Sequence, residues 1–98
     1  MLFHVIAKHS YETCPGVQHG PESAEVKEMT QWMEGNDDVK IVGVWGYNVS
    51  HTVFAVVEAN DMQKITTILR PQMARGNVEV LPVTDAIAVR KERGHWGK

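Results

Sequence analysis

The chain has a single cysteine, Cys14, among its 98 residues. An intrachain disulfide is therefore excluded, and any thiol chemistry must come from that one sulfur. Reduced, cytosolic conditions fit this usage best. No apolar run approaches the roughly 18 residues of a membrane-spanning helix. The start, "MLFHVIAKHS", is too short and too polar for a secretion signal and reads as a strand. Charge of one sign is also scarce: the net charge is -2, which gives no long-range reason to expect nucleic acid or a membrane surface. The eight glycines are scattered, and "GVWG" lacks both the phosphate-loop fingerprint and the helix that should follow it. No segment is low in complexity and no repeat is evident.

What is present is an ordinary globular composition, 43% apolar and 22% charged. It suits one domain over residues 1–89 with a basic tail at 90–98. "LFHVIAK" predicts a strand over 2–8. A loop over 9–21 follows, broken by Pro15, Gly16, Gly20 and Pro21. Ala24, Met29, Trp32 and Met33 approximate helical spacing and predict a helix over 22–34, with Gly35 as its stop. "VKIVGVWGY" (39–47) and "HTVFAVVEA" (51–59) predict a hairpin about "NVS". Asn60 or Asp61 caps a second helix with Met62, Ile65, Ile68 and Leu69 on one face, which Pro71 ends. "NVEVLPV" predicts a strand over 77–83, and Thr84-Asp85 opens a short last helix.

The order β-α-β-β-α-β, with right-handed crossovers, gives a ferredoxin-like α+β domain: a four-stranded antiparallel sheet with two helices on one face. The other face must meet water or a partner. Alternation assigns the purely apolar sets (Phe3, Val5, Ala7; Val42, Val44; Phe54, Val56) to the helix side. It leaves the mixed sets for the open face: Leu2, His4, Ile6, Lys8; Ile41, Trp45, Tyr47; His51, Val53, Ala55, Val57. An open face so apolar is a liability on a monomer, so a homodimer or higher homo-oligomer is expected. Two such faces packed together enclose a cavity, with His4, Trp45, Tyr47 and His51 as the residues that would bind a small organic molecule.

"MLFHV" and the strand-to-helix run "SHTVFAVVEANDMQKITTIL" resemble the muconolactone isomerase-like members of the dimeric α/β-barrel superfamily, and "IVGVWG" and "HTVFAVVEA" followed by a helix and "VEVLPV" are similar to small uncharacterised families of that superfamily. The resemblance implies this βαββαβ unit over about residues 1–89, paired sheet to sheet. It also implies chemistry of the isomerase or cofactor-independent oxygenase kind, or haem handling in other members. The loop "HSYETCPGVQHG" is not part of the isomerase pattern.

That loop carries the chain's most chemical residues. His9 and Cys14 can form a thiolate–imidazole pair and are the candidate catalytic residues. His9, Cys14 and His19 in H-x4-C-x4-H spacing are the alternative reading, ligands for a transition metal, although the spacing matches no zinc finger. His4 is a second candidate ligand, for a metal or for haem. The plain alternatives are a packed cysteine in a turn, two exposed histidines, and a domain used only for assembly. Cofactors thus stand as none, a transition metal or haem. Trp96 in the basic tail suggests docking in a groove, on this chain or on a partner.

Overall fold

The computed structural model describes residues 1–98. Strands β1 (Leu2–His9), β2 (Val39–Tyr47), β3 (Thr52–Ala59) and β4 (Gly76–Val83) form one antiparallel sheet in the order β2-β3-β1-β4. This is the ferredoxin-like arrangement, with helices filling both crossovers. The predicted strand limits stand within one residue.

The helical segments depart from the expected two continuous helices. The stretch 9–21 is not a plain loop: after a 3-10 turn at Tyr11–Thr13 it forms α1 (Pro15–His19). Pro15 occupies the first helical turn, where its missing N–H costs nothing, so it starts a helix rather than turning the chain back. Next comes α2 (Ala24–Thr30), capped by Ser23, whose hydroxyl accepts from Val26 N. It tightens into a 3-10 turn at Gln31–Glu34 that Gly35 ends at φ 72°. The second crossover is also divided, into α3 (Met62–Ile68) and α4 (Arg70–Met73). Pro71 sits in the first turn of α4, and the break falls before it, at Leu69.

The core lies between the sheet and these helices. Phe3, Val5 and Ala7 of β1, Val39 of β2, and Ala55, Val57 and Ala59 of β3 face Trp32, Ile65 and Leu69. Trp32 Nε1 donates to Gln72 Oε1 at 3.3 Å, tying the two helical crossovers together beneath the sheet.

Two of the expected faces are corrected. In β3, Val53, Ala55 and Val57 pack toward the helices, and Phe54 and Val56 lie on the open face opposite Ile6 and His4 of β1. In β2 the pairing slips between Ile41 and Gly43, a bulge that leaves Val42 exposed. Ile41 and Val44 therefore pack on the core, while Trp45 lies on the open face with Phe54. A bulge adds one residue and inverts the alternation beyond it. The Trp45 ring folds back over Gly43, where a Cβ would meet the indole.

One helix stands apart. α5 (Ala86–Glu92) is capped by Asp85, whose carboxylate accepts from Ala88 N, yet buries none of its residues. The chain measures 52 × 28 × 20 Å with a radius of gyration of 15.6 Å. A compact chain of this length would have a radius near ~13 Å.

Gly76 opens β4 and pairs with His9 at the end of β1. A Cβ there would overlap the Lys8 carbonyl oxygen and crowd the backbone of His9. Gly76→Ala is expected to force β4 away from β1 and to cost about 2–3 kcal/mol in urea unfolding, against well under about 1 kcal/mol for Gly46→Ala, whose Cβ meets only an ordinary contact with Asn48.

Candidate functional site

Two candidate sites emerge, on opposite sides of the sheet. The first grows from the end of β1. Its two-residue period, which buries Phe3, Val5 and Ala7, also turns His9 to the helix side, where the ring is only 8% exposed. His9 N donates to His51 O at 3.2 Å. His51 follows the 3-10 turn Asn48–Ser50 of the β2–β3 hairpin and is the one non-glycine residue with positive φ, 50° with ψ 44°. This left-handed backbone brings its ring over His9: Nδ1 of His51 lies 3.3 Å from Nε2 of His9, and the rings meet edge to face.

Cys14 arrives from the other direction. The turn Tyr11–Thr13 closes with Thr13 N on Ser10 O and Cys14 N on Tyr11 O, and α1 then starts with Gln18 N on Cys14 O. The segment is latched to the sheet by Arg75, whose Nη1 donates to Gln18 Oε1 at 3.2 Å and reaches Thr13 O at 3.5 Å. Gln18 Nε2 in turn donates to Glu12 O. The result brings ligand atoms of His9, Cys14 and His51 within 4.8 Å of one another. They border a recess of about 190 Å³ completed by Asn48, Thr52 and Val53.

The predicted pair His9 and Cys14 is thus brought together, but the third member is His51, not His19. His19 ends α1 with its side chain exposed. The expectation that His51 points to the open sheet face is also corrected. His51 precedes β3 rather than belonging to it, so strand alternation does not govern its ring. The signal available in the sequence was the polar turn "NVSH", in which histidine tolerates the left-handed conformation better than a β-branched residue.

Burial is the main reason the His9 imidazole titrates below its ordinary value of 6.5, with the nearby His51 and Arg75 adding to the effect. Its Nδ1 is buried and has no hydrogen-bond partner.

The second site is the open face. Leu2, His4 and Ile6 of β1, Trp45 and Tyr47 of β2, Phe54 and Val56 of β3, and Leu81 and Val83 of β4 share it by register. His4 stacks on Phe54 with ring centroids 6.5 Å apart. Of the residues expected to bind a ligand, His4, Trp45 and Tyr47 stand together here.

A family model described as a domain of unknown function, DUF3303, matches residues 1–92. The chain belongs to the DUF3303 family. A search of curated proteins returns no match. Among solved structures, the crystal structure of SCO4226 from Streptomyces coelicolor A3(2) is similar at a TM-score of 0.47 and 10% identity, covering 86% of this chain and 99% of that one. So loose a likeness says nothing of chemistry. In this DUF3303 chain no helix is long and apolar enough to cross a membrane.

The lowered His9 value sets a pH dependence. Below 6.5 the unfolded chain binds a proton that folded His9 resists, so stability present above that pH is lost as pH falls through it. In chelator-treated protein, unfolding free energy is expected to decline from pH 7 toward pH 5 with a His9 contribution of at most about 1.4 kcal/mol per pH unit. His9→Gln is expected to flatten that slope; an unchanged slope in urea titrations would count against the assignment.

Proposed function

We propose that this chain works as a homodimer that binds a small organic molecule between two sheets. The observation that carries the reading is the open face. Trp45 is 59% exposed, Tyr47 53%, Leu81 44% and Val83 42%, and Leu2, Ile6, Phe54 and Val56 lie among them. Apolar surface of this extent is covered in a stable soluble protein.

A second copy of the chain is the occupant that fits best. Four strands about 4.8 Å apart and about 26 Å long present roughly 500 Å² of projected face, so two copies would bury about the 1,000 Å² that a specific interface needs. The exposed α5 supports the same reading. Its seven residues are too few for a stable helix in isolation. They carry Ile87, 57% exposed, and lead to Trp96, which Lys91 covers with its ammonium 4.8 Å from the ring centroid. A partner would give both apolar side chains a surface to pack on.

Two four-stranded sheets facing each other make an eight-stranded enclosure. Eight strands leave room for packed side chains or one small ligand. The aromatic rings of Trp45, Tyr47 and Phe54 suit a flat, mainly apolar molecule. His4 is the imidazole on this face, and general acid–base work of an isomerase or cofactor-independent oxygenase would fall to it.

Light scattering at micromolar concentration is the direct test. The full chain is expected at twice its 11.0 kDa mass. Trp45→Glu with Leu81→Glu is expected to shift it to the monomer while retaining the circular dichroism of the fold. A full-length monomer at all concentrations would overturn the proposal. Native mass spectrometry of the dimer is expected to retain a small ligand that the double variant loses.

A further inference from the structure

We propose that His9, Cys14 and His51 form a three-ligand site for a zinc-class transition ion, with the fourth position open to water or a small ligand. The site lies on the helix side of the sheet end, apart from the open face, and its existence does not depend on the dimer.

The geometry of the two rings is the first argument. Zinc binds imidazole nitrogen at about 2.05 Å and thiolate at about 2.3 Å, which at a tetrahedral angle sets two nitrogens about 3.3 Å apart and nitrogen and sulfur about 3.6 Å apart. Nε2 of His9 and Nδ1 of His51 already stand 3.3 Å apart. All three ligand atoms lie within 4.8 Å, so the sulfur has at most about 1.2 Å to close. Rotation about the Cys14 Cα–Cβ bond is the movement that would close it.

The second argument is that this corner of the molecule forgoes ordinary stabilisation. Nδ1 of His9, the ring nitrogen that would not hold the ion, is buried without a partner. His51 holds a left-handed backbone conformation that glycine would adopt freely. Such departures accumulate where a ligand is to be held. The left-handed backbone at His51 is independent of the cysteine and borders the same recess.

The chemistry follows from the donor set. Two imidazoles and one thiolate favour zinc, cobalt or copper over magnesium or calcium, which need oxygen ligands. Metal entry replaces the thiol proton, which leaves to solvent. The proton shared between the two rings moves out of the way by tautomerisation, so that each neutral ring offers a lone pair to the metal. Three protein ligands leave one position free, the pattern of sites that bind or activate a further molecule rather than of closed structural sites. Asn48 and Thr52 border the recess and supply polar contacts for that molecule.

The test is cobalt(II) titration of the reduced, chelator-stripped, tag-free protein. One cobalt per chain is expected, with a sulfur-to-metal charge-transfer band and visible bands of tetrahedral intensity, all displaced by zinc. Cys14→Ser is expected to lose the charge-transfer band. His51→Gly is expected to weaken binding roughly 100-fold or more. Its fold should be at least as stable as the parent, because glycine relieves the positive φ. His19→Ala is expected to bind as the parent does. A folded parent with no charge-transfer band overturns the proposal. So does a cobalt affinity left unchanged by His51→Gly, or a band that is lost with His19→Ala.

Discussion

Strand β1 is paired on both sides, with β3 along one edge and β4 along the other. A strand so fixed has no freedom of register, because a slip of one residue would exchange its buried and open sets in full. Phe3, Val5 and Ala7 therefore define where the core is, and Leu2, His4 and Ile6 define the surface left over. The same period, carried one step past Ala7, delivers His9 into the layer beneath the sheet. The core, the apolar open face and the histidine–cysteine cluster are three consequences of one alternating strand.

Much of this was legible because β1 mixes residue types. His4 and Lys8 mark its open side against the uniformly apolar Phe3, Val5 and Ala7, so alternation could be read directly. β3 carries only polar marks at its ends, Thr52 and Glu58, in the phase of Phe54 and Val56. Val53, Phe54, Ala55, Val56 and Val57 are apolar on both sides, and a run of that kind does not say which side faces the helices. Its pairing with β1 decides the matter by placing Ala55 beside buried Val5. β2 failed for a different reason. The bulge between Ile41 and Gly43 changes the phase of the strand, and a glycine within a strand is a weak signal for a bulge. The His9–Cys14 pair was readable from the end of β1 and the length of the loop. His51 was not, because its position rests on a hairpin turn and a left-handed backbone rather than on any period.

The two candidate sites are separated by the thickness of the sheet. His4 and His9 are five residues apart on one strand and face opposite sides, so they cannot share a ligand. Changes on the open face should alter association without disturbing the histidine–cysteine cluster, and changes at Cys14 or His51 should spare the interface. The measurements on each side are accordingly independent, and failure of one reading leaves the other standing.

The distribution of stability along the molecule has the same polarity. The core centre under β1 and β3 is closely filled: Val5, Ala55 and Ile65 are fully buried. Toward the other end, the sheet terminates in an unpartnered imidazole nitrogen, a left-handed histidine and a short segment latched chiefly through Arg75. A protein of this size has only about 5–10 kcal/mol of net stability, so strain of about 1–3 kcal/mol at a single residue is a large share of it. Strain at His51 would be relieved by a single change to glycine, at the expense of one imidazole. That backbone is carried by a histidine beside a second histidine and the chain's only thiol, and the proposed metal site rests on this coincidence.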